Sequence, residues 1–140
     1  MPARAFLDTN VLIYALAEND PRSARAEELL EAGGILSVQV LNEFTSVARK
    51  KLSLSWSEIT EAIDAFLLLC PSPLGVTMEL HEAARTIAEK YGYGIYDALV
   101  IAAALDAGCS ILYSEDLQDG QRISGHLIVR NPFVCSSADR

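Results

Sequence analysis

The chain has 140 residues, of which 51% are apolar and 21% are charged, and its net charge is −8. This composition excludes a disordered chain, and the length predicts one domain over residues 1–140. The negative charge excludes nucleic-acid binding through general basicity, so any contact with a polynucleotide must rest on a local basic patch.

The hydropathy pattern predicts neither a membrane anchor nor a secretory signal. The longest unbroken apolar run, residues 98–105, is far shorter than the roughly 20 residues that cross a bilayer. Polar and acidic side chains interrupt the first 20 residues, namely Asp8, Asn10, Glu18 and Asp20. We therefore expect a cytoplasmic protein without a membrane partner.

The first third of the chain predicts a strand followed by two helices. The strand covers residues 4–7, and a helix begins near Val11. Asp20 and Pro21 are typical of the cap and first position of a second helix, which ends near Gly33.

The middle of the chain predicts a short strand and two more helices. The strand covers residues 35–36, and Ser37 caps a helix that ends near Lys51. Ser55 and Glu58 form a capping box for the next helix. That helix carries one apolar stripe, formed by Ile59, Ala62, Ile63, Phe66 and Leu67.

The last part of the chain continues the alternation of strands and helices. Strands are predicted over residues 75–77, 110–113 and 127–129, and helices over residues 80–91 and 96–107. Such alternation predicts an α/β fold, specifically a three-layer α/β/α sandwich around a central, mostly parallel sheet. Ligands of such folds bind beyond the carboxyl ends of the strands.

Acidic side chains occupy that position. Asp8 directly follows the first strand, and Asp116 and Asp119 follow residues 110–113, so both groups should share one rim. Glu43 lies beside the apolar face of its helix, and Asp97 begins the most apolar helix.

Each acid also has an ordinary structural interpretation. Asp8 and Asp97 are typical helix caps, Glu43 could be an edge residue or part of an ion pair, and Asp116 and Asp119 suit a turn. Together, however, they would repel one another by roughly 4 kcal/mol per pair at about 4 Å. Proton uptake or cation binding is therefore expected.

The donor types favour a hard divalent cation. Only two histidines are present, and the three cysteines form no CxxC motif, so zinc and disulfide frameworks lack support. Carboxylate oxygens suit Mg²⁺ or Mn²⁺.

The order and spacing of these acids resemble the PIN-domain ribonucleases, and most of all their VapC-type toxins, over nearly the whole chain. The matching segments are Phe6-Leu7-Asp8-Thr9-Asn10-Val11-Leu12, Leu41-Asn42-Glu43-Phe44, Tyr96-Asp97-Ala98-Leu99 and Ser114-Glu115-Asp116-Leu117. The resemblance implies that Asp8, Glu43, Asp97 and Asp116 are catalytic metal ligands, with Asp119 as a further acid. It implies supporting roles for Thr9, Asn10 and Ser114.

The resemblance also implies an activity and partners. The expected reaction is metal-dependent hydrolysis of RNA by water, which leaves a 5′-phosphate and a 3′-hydroxyl. The expected partners are an inhibitory antitoxin and a second copy of the chain. The stripe of the helix after Ser55, with Trp56 at its start, could form a groove for either partner, although a core face is the simpler interpretation.

Basic side chains near the rim could guide the RNA. The candidates are Arg22, Arg25, Arg49, Lys50, Lys51 and Arg122, each of which could equally be an ordinary surface residue. Tyr96 is the aromatic side chain expected nearest the site, or else it packs in the core.

Two other functions fit part of the pattern. A haloacid-dehalogenase-like phosphatase also has an Asp after its first strand, but Asn10 stands where its general acid would be, and Glu43 would have no role. A degenerate PIN module would bind RNA or protein without cleavage, although the intact set of acids argues against it.

Overall fold

The computed structural model describes residues 4–134. The elements within this range are β1 (Ala5–Leu7), α1 (Thr9–Leu16), α2 (Ser23–Glu31), α3 (Val38–Lys50), α4 (Trp56–Leu69), α5 (Met78–Tyr91), α6 (Ile95–Asp106), β2 (Ile111–Tyr113), β3 (Arg122–Ile123) and β4 (Leu127–Arg130). The strands form a sheet in the order β1-β2-β4-β3, in which only β3 is antiparallel to its neighbour. The predicted α/β class with a mostly parallel sheet is confirmed.

The sheet aligns its buried side chains in rows. Phe6 pairs with Leu112, which pairs with Val129, and none of the three side chains is exposed. Seven consecutive residues of α6, 98–104, are also buried, because this helix is apolar on every face. The parallel register brings the carboxyl ends of β1, β2 and β4 to one edge.

Two predicted strands are absent from the sheet, and one strand was missed. Residues 35–36 contribute only an isolated bridge between Ile35 and Phe6, and residues 75–77 are irregular, with a bridge at Leu74 instead. The first prediction was wrong because Ser37 already caps α3, and the second because Thr77 already caps α5, which leaves both segments too short. The missed β3 has two residues, too few to show an alternating pattern.

The helix starts show where cap prediction succeeds. Ser37 and the Ser55–Glu58 capping box act as predicted. Helix α1 begins at Thr9, earlier than predicted, because Asp8 is its cap. The predicted cap Asp20 is wrong: α2 begins at Ser23, and the Asp20 carboxylate accepts hydrogen bonds from the backbone and guanidinium of Arg22 instead.

The apolar stripe of α4 is mainly a core face. Ile59 and Phe66 are buried, and the Phe66 ring packs edge-on against Phe44. Trp56 remains exposed. The interpretation of the stripe as a partner groove is therefore wrong for its buried members, because their apolar surface is already covered within the chain.

Between residues 4 and 134, no helix is both long and apolar enough to cross a membrane. Cys70 and Cys109 are buried free thiols, and burial raises the pKa of both above its usual value. The third cysteine, Cys135, lies outside the described residues. The extent of the domain over residues 1–140 stays a prediction.

Candidate active site

Asp8 lies at the junction of β1 and α1, and its side chain is only 4% exposed. Its Oδ1 accepts a hydrogen bond from the Thr9 backbone N–H at 2.7 Å, which caps α1. Its Oδ2 accepts one from the Ser114 hydroxyl, also at 2.7 Å. The carboxylate is thus held from both sides. Asp8 is a helix cap, as its ordinary structural interpretation predicted, and it also lies in the candidate site.

Burial is the main reason that the pKa of Asp8 rises from 3.8 to about 6. The hydrogen bonds from Ser114 and Thr9 oppose this rise, whereas the negative charges of Glu43 and Asp116 add to it. A nearby positive charge would therefore stabilise the ionised form of this carboxylate.

Glu43 lies on α3, opposite Asp8, and is partly buried. Its Oε2 accepts a hydrogen bond from the Thr9 hydroxyl at 2.9 Å, and its Oε1 accepts one from the Gln39 amide at 3.2 Å. Both partners are neutral, so the charge of Glu43 is oriented but not compensated.

Asp116 lies in the loop that follows β2 and is exposed. Its backbone N–H donates to the Ser114 hydroxyl at 3.2 Å, and its Oδ2 accepts from the Asn10 amide at 3.3 Å. The Asn10 carbonyl oxygen also accepts from the Glu115 N–H. Ser114 therefore contacts both Asp8 and the loop that carries Asp116, and Asn10 positions the same loop.

Asp97 lies in the first turn of α6 and is exposed. Partial burial, followed by the charges of Asp116 and Glu43, raises its pKa above the usual value. Asp97 therefore lies close enough to Asp116 and Glu43 for their charges to act on its carboxylate. Its neighbour Tyr96 is 63% exposed, which excludes the core position considered from the sequence.

None of these four acids has a basic partner among residues 4–134. The ion pairs in this range join Arg22 to Asp20 and Glu115, and Arg25 to Glu28. Asp8, Glu43, Asp97 and Asp116 thus carry uncompensated negative charge. Within the same range, however, no group of three acidic, histidine or cysteine side chains is already arranged to hold a metal ion.

Asp119 stands apart from the four acids. It is exposed, and its Oδ1 accepts a hydrogen bond from the Asn131 backbone N–H at 2.9 Å. Its charge is not among those that raise the pKa of Asp8 or Asp97. The structure gives Asp119 a role in joining two loops, and its role as a metal ligand stays a prediction.

An open cleft of about 390 Å³ lies between α1, α3 and the loop after β2. It is lined by Thr9, Asn10, Ile13, Tyr14, Glu43, Ser46, Val47, Glu115 and Asp116. The cleft is lined by two of the four acids and by two of the three residues predicted to support them. Asp8 contacts this lining through its hydrogen bond to the Thr9 backbone.

A polar network beside this cleft was not predicted. The Tyr14 hydroxyl donates to Glu115, and the Arg22 guanidinium donates to the Tyr14 hydroxyl and lies 3.8 Å above its ring. Burial, followed by Glu115, raises the pKa of Tyr14 to about 12. Because the three residues come from distant segments, no local spacing indicates the network. Gln39, by contrast, could have been found four positions before Glu43 on α3.

The predicted RNA contacts differ in availability. Arg22 is held by Asp20, Tyr14 and Glu115, and Arg49 donates to the Leu54 carbonyl and lies over the Trp56 ring. Both guanidinium groups therefore already make contacts within the fold. Lys50, Lys51 and Arg122 are exposed, and the side chain of Arg25 is 43% exposed and pairs with Glu28. The roles of all these residues in RNA binding stay predictions.

A model of the PIN domain family matches residues 5–120. The chain belongs to the PIN domain family, whose members are nucleases. This assignment confirms the resemblance expected from the sequence and does not support the phosphatase alternative. No curated protein matches the chain.

The solved structures that share the fold include three that are toxins or toxin–antitoxin complexes. VapC20 of Mycobacterium tuberculosis, a toxin that cleaves the sarcin–ricin loop, has 23% identity and a TM-score of 0.63, over 80% of this chain and 89% of that one. A toxin–antitoxin complex from Klebsiella pneumoniae has 20% identity and a TM-score of 0.68, over 92% of this chain and 98% of that one. VapBC2 of Rickettsia felis, bound to a promoter DNA fragment, has 22% identity and a TM-score of 0.64, over 90% of this chain and 96% of that one. At these identities the likeness establishes the fold.

Proposed function

We propose that this chain is a Mg²⁺- or Mn²⁺-dependent endoribonuclease and the toxin of a toxin–antitoxin pair. The observation that carries the proposal is a set of four acids that have no basic partner within residues 4–134, one of which, Asp8, is almost completely buried. Membership of a nuclease family and the fold of known toxins agree with it. A merely structural cluster would gain stability from a basic or neutral residue at any of these positions.

The donor set fits a hard divalent cation in its chemistry. Asp8, Glu43, Asp97 and Asp116 offer only carboxylate oxygens, the ligands that Mg²⁺ and Mn²⁺ prefer. Asp97 and Asp116 are exposed, and the 3.3 Å hydrogen bond from Asn10 to Asp116 is long, so both side chains can rotate towards Asp8, which is fixed by two hydrogen bonds of 2.7 Å. These four residues would hold the ion.

The residues around the acids orient them. The Thr9 hydroxyl aims Glu43, the Asn10 amide holds Asp116, and the Ser114 hydroxyl joins Asp8 to the Asp116 backbone. A divalent cation in such a site supplies activation of water for attack on a phosphodiester and neutralisation of charge on the leaving oxygen. We expect products with a 5′-phosphate and a 3′-hydroxyl.

The antitoxin part of the proposal is supported by an exposed apolar groove of about 560 Å³ between α1 and α4. Leu16 and Leu52 are exposed there, and Glu18, Glu58 and Glu61 line the same groove. An apolar segment with arginines would complement this surface in shape and charge. Two of the structural neighbours are toxin–antitoxin complexes, and the partner expressed with this chain should abolish its cleavage of RNA.

The test is cleavage of single-stranded RNA by the purified chain with Mg²⁺, with Mn²⁺ and with EDTA. Asp8→Asn and Asp97→Asn should each lower the rate by at least about 100-fold. The matched control is Asp106→Asn, which makes the same change at the exposed opposite end of α6.

Three results separate this proposal from its alternatives. Equal cleavage by the wild type and both active-site variants would show contamination and overturn it. Binding of RNA without cleavage under any divalent ion would support the degenerate module. Strong turnover of a small phosphate ester without RNA cleavage would support a phosphatase.

A further inference from the structure

A second, larger cavity lies beside the acidic cleft. It has a volume of about 650 Å³ and lies between the start of α2, strand β2 and the segment that follows β4. Its lining includes Arg22, Arg25, Tyr113, Arg130, Asn131 and Phe133. Among the described residues, the lining includes three of the chain's 11 basic residues and no acidic one. This is a local basic patch of the kind that a chain of net charge −8 needs to contact an anion.

The two cavities share one wall. Tyr14 and Glu115 line the acidic cleft, whereas Arg22, which donates to both, lines the basic cavity. Asp20 binds the same guanidinium through two hydrogen bonds of 2.9 and 2.8 Å. Arg22 is therefore a fixed part of the wall, and a polymer bound in the cleft has the basic cavity directly beside it.

The other two arginines of the basic cavity are available to an anion. Among residues 4–134, Arg25 forms an ion pair only with Glu28, at 3.6 Å, and both side chains are exposed, so this ion pair is weak in water. Arg130 makes no ion pair with any residue between 4 and 134. Arg130 was not among the RNA contacts predicted from the sequence, because it simply ends the apolar strand β4.

The rest of the lining suits a nucleotide. The Tyr113 ring lies 5.8 Å from the Arg25 guanidinium, and the Phe133 ring is fixed edge-on against Tyr14 at 4.9 Å. Asn131 is held by its backbone N–H, which donates to Asp119. Aromatic faces stack on bases, and guanidinium groups bind phosphates. The volume is also in the usual range for small-molecule sites.

We propose that this basic cavity binds a nucleotide of the RNA next to the one cleaved, with Arg25 and Arg130 on its phosphate. The proposal rests on the proposed function for its substrate, and it adds a binding subsite outside the set of acids. It explains how a strongly acidic protein holds a polyanion beside four uncompensated carboxylates: two separate arginines attract the neighbouring phosphate.

The first experiment measures RNA binding without cleavage. Fluorescence anisotropy of a labelled single-stranded RNA is followed with the full chain in EDTA at several salt concentrations. Arg25→Gln/Arg130→Gln should weaken binding by about 10-fold or more and lower the slope of log K against log salt by about 1.4, the value for two lost phosphate contacts. The matched control, Arg85→Gln/Lys90→Gln, removes two charges from α5, where neither residue lines the cavity.

The second experiment measures steady-state cleavage by the same variants with Mg²⁺ or Mn²⁺. The Arg25/Arg130 variant should raise KM by a similar factor and leave kcat within about twofold, because the subsite contributes binding and no chemistry. A fall in kcat with unchanged KM would contradict the proposal.

The remaining outcomes also decide the matter. Equal weakening of RNA binding by both double variants would mean general electrostatics and overturn the subsite. Unchanged RNA binding together with lost antitoxin binding would assign the cavity to the protein partner instead. If no RNA is cleaved by any form, the nuclease proposal fails, while the anisotropy experiment still tests the cavity.

Discussion

The candidate site has a buried half, formed by Asp8, and an exposed half, formed by Asp97 and Asp116, and the two are built differently. Asp8 is buried, ends a core strand and accepts two hydrogen bonds of 2.7 Å. Asp97 and Asp116 are exposed, one in the first turn of α6 and the other in a loop held by longer contacts of 3.2 and 3.3 Å. Packing therefore fixes one carboxylate before any ligand arrives, and the exposed pair can move to complete the site.

This difference explains why no group of three ligands is already assembled between residues 4 and 134. Four charges brought together without a cation would repel one another strongly. Keeping two of them at the surface lets water screen the charge. The buried half supplies precision, and the exposed half avoids most of the electrostatic cost until an ion binds.

Outside the four acids themselves, the largest effect is expected where the two halves meet, at Ser114. Ser114→Ala removes the hydroxyl that donates to Asp8 and accepts from the Asp116 N–H. RNA cleavage should fall by about 10- to 100-fold, and the free energy of unfolding should fall by about 1 to 3 kcal/mol. Kinetics and urea denaturation measure the two effects.

The matched control for Ser114 is Ser110→Ala at the other end of the same strand. The Ser110 hydroxyl is buried and has no hydrogen-bond partner among the described residues. Its removal should leave both activity and stability nearly unchanged or raise stability slightly. Equal losses from the two substitutions would mean that the hydroxyl of Ser114 does not connect the halves.

A smaller effect is expected on the stability of the buried half. Because the folded-state pKa of Asp8 is raised to about 6, the native state disfavours its ionised form, and this cost appears as pH rises from about 4 through 6. Without divalent ions, Asp8→Asn should therefore be more stable than the wild type by about 2 kcal/mol near pH 8, and by less near pH 5.

The measurement for Asp8→Asn is urea denaturation at both pH values in EDTA. Asp106→Asn serves again as the control, since its exposed carboxylate should give a stability difference near zero at both values. A variant that is less stable than the wild type near pH 8 would show that the Asp8 charge is already compensated in the folded chain.

The sequence was sufficient for features that depend on local order. The sequence placed Asp8 directly after a strand and Glu43 beside the apolar face of its helix, and the Ser55–Glu58 box was found from its spacing. The positions are confirmed, and the catalytic roles of the two acids stay predictions. The network of Tyr14, Arg22 and Glu115 could not be found, because its members are up to 101 positions apart. Their contact depends on how α1, the start of α2 and the loop after β2 come together.

The same limit applies to the short strands and to Arg130. Strand β3 exists only because a hairpin, with Ser124 and Gly125 both at positive φ, returns it to β4. Two residues carry no alternating pattern of their own. Arg130 is a candidate RNA contact only because it lines the cavity that β2 and β4 form with α2, and the sequence of any one segment does not show this cavity.

The central claim is that Asp8, Glu43, Asp97 and Asp116 hold a divalent cation together. It is tested most directly by calorimetric titration of Mn²⁺ into the full chain near neutral pH, with each acid changed in turn to its amide. Each change should weaken binding by at least about 10-fold, whereas the control Asp106→Asn should change it by less than about threefold. Wild-type affinity in Asp8→Asn or Asp97→Asn would contradict the account.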